Sequence, residues 1–86
     1  MSMLTVGPEV AWVEVDHTVY VAVLPDPPIL VLEGTAAFIW VTALRVEYEG
    51  LHEHVAAKVG ISPEEAREPV SVFIDDVRAR GLIVGG

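Results

Sequence analysis

A chain of 86 residues has room for one domain, residues 1–86, and without a cysteine it excludes a disulfide framework, a thiol nucleophile and any thiolate-held metal. The formal net charge of -8 is unevenly spread: the first basic residue is Arg45, so the N-terminal half is purely acidic and repels the phosphates of nucleic acid and of anionic membranes. An apolar content of 52% is high for so small a chain and points either to an unusually complete core or, the reading favoured here, to apolar surface left for binding.

Val10–Val15 and Val19–Leu24 are rich in β-branched and aromatic residues, and Asp16-His17-Thr18 between them has turn chemistry, which predicts a hairpin. Pro25-Asp26-Pro27-Pro28 then breaks the chain before Ile29-Leu30-Val31-Leu32, read as a third strand. Thr35 is the expected N-cap of a helix through Leu44, apolar on most faces, which Tyr48-Glu49-Gly50 ends. Leu51, Val55 and Val59, spaced i, i+4, i+8, mark a second helix closed by Gly60. Ser62-Pro63-Glu64-Glu65 is a capping box opening a third helix with an apolar stripe of Ala66, Val70, Phe73 and Val77, Ile74 beside it and Gly81 as the stop. Pro69 is expected to interrupt this helix after about two turns. Leu82-Ile83-Val84 is either a last short strand or a tail packed on the core.

Catalytic chemistry finds little support. His52 and His54 flank Glu53, yet residues two apart on a helix point to different sides and do not converge on a metal. The acids Glu64, Glu65 and Glu68 are explained by capping and the helix macrodipole. No Gly-rich phosphate loop or strained nucleophile elbow is present, so neither an enzyme nor a cofactor is expected. Trp12, Phe38 and Trp40 fall inside strand and helix patterns and are expected in the core. No apolar run reaches the ~20 residues of a membrane span and the first residues lack a basic signal-peptide region, so a cytoplasmic address is expected.

The third strand is apolar on both faces, Ile29 and Val31 against Leu30 and Leu32, and an uncharged apolar edge is normally covered. Either Leu82–Val84 covers it, or a peptide from another chain adds there as a strand.

Leu32-Glu33-Gly34-Thr35-Ala36-Ala37-Phe38-Ile39-Trp40 resembles the strand-to-helix junction of the PqqD-like family. Ile61 to Arg67, Val72 to Val77 and Arg80 to Ile83 look like its C-terminal helix and closing Gly-Leu, so the resemblance spans about residues 10–84. It implies an α+β fold resembling a winged helix-turn-helix, a three-stranded antiparallel sheet followed by three helices. It also implies recognition of the leader segment of a ribosomally made, later modified precursor peptide, and a member this short looks like the separate recognition protein of lasso-peptide pathways. The partners so implied are the precursor leader peptide, a leader peptidase and, beyond it, the cyclase.

Carried over position by position, the resemblance places the leader on Ile29, Leu30, Val31 and Leu32, against a helix wall drawn from Val70, Phe73, Ile74, Val77 and Arg78, with Asp75 as the partner of a basic leader side chain. Pro69 stands where the family often has an acid, and no Asn lies near Glu33, so contacts at those two positions do not transfer. Two readings compete with leader recognition: a winged-helix regulatory domain, opposed by the acids of the third helix, and an adaptor that dimerises through its apolar edge.

Overall fold

The computed structural model describes residues 3–24 and 29–85. The proline-rich break expected at residues 25–28 lies outside them. Within them the order is β1 (Leu4–Val6), β2 (Val10–Val15), β3 (Thr18–Val23), β4 (Ile29–Leu32), α1 (Thr35–Ala43), α2 (Tyr48–Val59), α3 (Pro63–Ala79) and β5 (Ile83–Gly85). The class is α+β, with a three-stranded antiparallel sheet ordered β2-β3-β4 and three helices.

The β2–β3 hairpin turns on two residues, since Val15 pairs with Thr18 and the φ angles of Asp16 and His17 are 51° and 66°. Positive φ at both central positions defines a type I′ turn, whose twist matches that of the strands it joins. Thr18 therefore begins β3 rather than belonging to the turn.

The N-terminal strand was not anticipated. Three residues, Leu4-Thr5-Val6, are too short for alternation to identify, yet they pair antiparallel with β5 in a separate two-stranded sheet. Leu4, Leu82 and Ile83 are all buried in the common core. Gly7 is where the two ends of the chain cross: a Cβ there would collide with the Gly81 carbonyl, and its N–H donates to Leu82 O at 3.0 Å.

Three helix boundaries depart from expectation. Gly34, with φ of 62°, caps α1 in place of Thr35 and accepts the Phe38 N–H at 3.1 Å, letting the chain leave β4 and enter the helix at once. That helix stops at Ala43 because the N–H groups of Arg45 and Val46 turn back onto the Thr42 carbonyl. Tyr48, Glu49 and Gly50 then form the first turn of α2, where glycine costs less than in a helix interior.

The α3 capping box is formed, with Glu65 N–H donating to Ser62 Oγ at 3.1 Å and Ser62 N–H to Glu65 Oε1 at 3.0 Å. The helix does not break at Pro69 but runs on to Ala79. Pro69 is exposed, so the Glu65 carbonyl that loses its helical donor lies on the wet side, while Ala66 and Val70 on either flank are buried. Gly81, at φ of 75°, ends α3 in a Schellman arrangement with Leu82 N–H on Val77 O at 2.9 Å.

The core gathers Val19 and Val21 of β3, Leu32 of β4, most of α1, and the inward faces of α2 and α3. Val59, expected in the buried stripe of α2, is exposed, and Ala56 takes its place beside Leu51 and Val55. Trp40 is wholly buried, as expected, and Trp12 meets it edge to face at 6.1 Å while staying partly exposed at the sheet margin. Among the described residues no helix is long and apolar enough to cross a membrane.

Candidate peptide-binding edge

β4 pairs with β3 on one side only, and β5, which could have covered the other side, pairs with β1 instead. Among the described residues nothing pairs with the outer side of β4.

The register tells which backbone groups are left there. Val15 and Thr18, flanking a two-residue turn, form a hydrogen-bonded pair, and such pairs recur at every second position. Leu24 N–H donating to Glu9 O at 2.7 Å keeps the same frame at the far end. Thr18, Tyr20 and Ala22 thus spend their backbone groups on β2, and Val19 and Val21 spend theirs on Leu32 and Leu30. Ile29 and Val31 direct their N–H and C=O groups to the open edge.

Side chains sort the same way. Leu32 is buried and Leu30 partly so, while Ile29 and Val31 are 58% and 49% exposed on the sheet face away from the helices. Cross-strand partners share a face, so Val31 joins Tyr20 and Val13, and Ile29 joins Ala22 and Ala11. With Val15 they make an outer sheet face without a charged side chain, on which Val13, Val15 and Tyr20 are also exposed. The alternation of β2 and β3 carries this information, since Ala11, Val13 and Val15 share one face of β2 and lie opposite Ala22, Tyr20 and Thr18 of β3.

The helix wall is rearranged relative to expectation. Val70, Ile74 and Val77 are buried in the core and present no surface to a peptide. Ile74 occupies the innermost line, and Phe73, expected in that line, sits half-buried at its margin. Asp75 is exposed on the solvent side.

Arg78 is engaged within the chain. Its Nη2 donates to the Gly85 carbonyl at 2.6 Å and its guanidinium lies 5.3 Å from the centre of the Tyr48 ring. Its Nε is buried without a hydrogen-bond partner among the described residues. The side chain clamps β5 and the start of α2 onto α3, a role that no sequence pattern signalled.

Two clefts lie away from β4. One, of about 470 Å³, opens between α2 and α3 beside Tyr48, His52, Arg67 and Ser71, where Arg67 Nη2 and His52 Nε2 stand 3.4 Å apart. The other, of about 620 Å³, lies between the hairpin tip, α1 and the end of α2. Among the described residues no three His, Asp or Glu side chains gather where they could hold a metal ion. The Glu65 carboxyl is held below its ordinary range, first by the Ser62 backbone N–H that it accepts and then by the Ser62 hydroxyl.

No curated protein and no solved structure matches the chain. The family described as coenzyme PQQ synthesis protein D (PqqD) matches over residues 21–83, from the second strand of the hairpin through the three helices to the start of β5. The open strand, the capped third helix and the closing Gly81-Leu82 all fall inside that match, and the chain belongs to the PqqD family.

Proposed function

We propose that this protein is a non-catalytic recognition element that binds the leader segment of a ribosomally made precursor peptide, of the lasso-peptide kind, and delivers it to a partner leader peptidase in the cytoplasm. The observation that carries the proposal is the unpaired outer side of β4, where Ile29 and Val31 offer backbone donors and acceptors to an incoming strand. Family membership supports a place in a biosynthetic pathway.

The leader adds antiparallel to β4, making a few ladder hydrogen bonds of ~0.5–1.5 kcal/mol each, which fix register more than affinity. Apolar leader side chains reach Leu30 and Phe73, both partly exposed at the rim of the core. Two or three such anchors contribute ~1.5–3 kcal/mol each against ~4–15 kcal/mol for association, which leads to affinities from micromolar to tens of nanomolar. Leu32, Val70, Ile74 and Val77 support this surface from behind, and Asp75 is free to meet a basic leader side chain. The bare outer face, continuous with Ile29 and Val31, is the seat for the peptidase, and then for the cyclase. Three helices packed behind a hairpin fit a winged helix-turn-helix arrangement, but five acids on α3 (Glu64, Glu65, Glu68, Asp75 and Asp76) suit a peptide better than DNA.

The test is fluorescence polarisation of a labelled leader peptide titrated with the domain. Saturable binding that Phe73→Glu weakens supports the reading. Absence of binding to high micromolar, together with concentration-dependent sedimentation of the domain alone, replaces it with a dimerising adaptor that uses the same apolar surface.

A further inference from the structure

The edge of the sheet opposite β4 carries a second feature. By the register of the hairpin, β2 turns the backbone groups of Trp12 and Glu14 outward, and among the described residues it too is an open strand edge. Beneath it lies the cleft of about 620 Å³, with an apolar floor of Phe38, Val41 and Val59. Its rim holds Arg45, Lys58 and His17, with Glu14 as the one acid.

That charge balance reverses the rest of the molecule. The chain has 13 acidic residues and 5 basic ones, and two of those five converge on this cleft. Neither forms an ion pair among the described residues, where Arg80 with Asp76 does. Lys58 instead stands 5.7 Å from the centre of the Phe38 ring, held at the cleft mouth over its apolar floor. A free strand edge, an apolar floor and unpaired cations at the rim are together what an extended segment requires when its apolar and carboxylate side chains stand two residues apart and so share one face.

We propose that this cleft is a second docking site, for an acidic extended segment of a partner polypeptide that pairs with the edge of β2 and turns carboxylate and apolar side chains, spaced two residues apart, onto the cleft. Its carboxylates meet Arg45 and Lys58, and its apolar side chains enter over Phe38. The two edges of one sheet then hold two polypeptides of different charge, a leader on β4 and an acidic partner segment on β2. A second copy of this chain is the weaker occupant, because its own strands β2 and β3 carry a single carboxylate, Glu14.

The test uses the full chain, ¹⁵N-labelled, titrated in NMR with the acetylated, amidated hexapeptide Asp-Thr-Leu-Thr-Asp-Thr, whose first, third and fifth side chains share one face. Saturable shifts centred on Glu14, His17, Phe38 and Lys58, with a Kd of ~0.1–1 mM, are expected. The double variant Arg45→Glu with Lys58→Glu weakens binding at least ~10-fold while the remaining spectrum is preserved, and raising salt from ~0.05 to ~0.5 M weakens it in the wild type. No saturation below ~5 mM, equal binding of the Lys-for-Asp peptide, or shifts that the double variant leaves in place would overturn the proposal. Leader binding at β4, measured on the same double variant, is expected to be unchanged, so failure at one edge is separable from failure at the other.

Discussion

Ile74 and Val72 stand two positions apart on α3 and lie at opposite limits of access to solvent, 0% exposed for the first and 62% for the second. A carboxylate at position 74 would be buried without a partner, so Ile74→Glu is expected to unfold the domain rather than to remove a peptide contact alone. Ile74→Ala should cost ~2–5 kcal/mol, the usual range for truncating a large buried aliphatic side chain. Val72→Glu should change stability by less than ~0.5 kcal/mol. Urea denaturation of the variants measures all three, and an unchanged midpoint for Ile74→Ala would contradict the packing described above.

Adjacent residues of β4 should respond oppositely to proline. The Val31 N–H points to the open edge, so Val31→Pro removes a donor that the fold does not use. The Leu30 N–H serves the ladder with Val21, so Leu30→Pro deletes a native hydrogen bond and distorts the strand. Val31→Pro should leave the thermal midpoint nearly unchanged while lowering leader affinity ~5–10-fold, the equivalent of one ladder bond of ~1–1.4 kcal/mol. Leu30→Pro should lower the midpoint itself. Leader affinity equal to wild type in Val31→Pro would place the peptide elsewhere.

How much of this was legible beforehand depended on whether the decisive signal was local. The capping box at Ser62 and Glu65, the αL stops at Gly60 and Gly81 and the two-residue turn at Asp16 and His17 are short-range chemistry, and the first three were read to the residue. β1 could not be read, because three residues become a strand only through their pairing with Ile83–Gly85 at the far end of the chain. The interchange of Phe73 and Ile74 has a similar cause. Both lie on the apolar side of α3, and only the position of α2 and the sheet decides which one points inward. Residues 29–32 are legible as an apolar strand whose edge is either covered by Leu82–Val84 or open to a peptide, and the pairing of β5 with β1 decides between the two, whereas the uncharged outer face needs the register of all three strands. The tethering of Arg78 by Gly85 and Tyr48 has no sequence signature at all.

Val13 lies in the middle of that outer face, 54% exposed and opposite Tyr20. Val13→Lys should change folding stability by no more than ~0.5 kcal/mol, since it removes no buried contact. It should leave leader binding within about twofold, because the peptide pairs at β4 and not at β2. Docking of the leader peptidase onto the domain–leader complex should fall at least ~10-fold, as a charge in the centre of an apolar interface is left desolvated. Surface plasmon resonance with immobilised peptidase reads the difference. Undiminished peptidase docking in Val13→Lys would remove the outer face as its seat.

Glu65 gives the α3 cap a pH dependence of definite sign. Its folded pKa lies below its ordinary value because the charged carboxylate accepts the Ser62 backbone N–H, with the Ser62 hydroxyl adding to the effect. A depressed folded pKa means that the capping contribution is fully present above the unfolded value and is lost as pH falls through the folded one. The first turn of α3 should therefore stay ordered at neutral pH and fray in acid, below the ordinary carboxylate range. Following the Glu65 side-chain carboxyl carbon by NMR across the acid titration should give a midpoint below the ordinary glutamate value. In Ser62→Ala, which removes the hydroxyl and loosens the backbone bond, the Glu65 midpoint should rise toward that ordinary value. The same Glu65 midpoint in the wild type and in Ser62→Ala would mean that the capping box is not formed in solution.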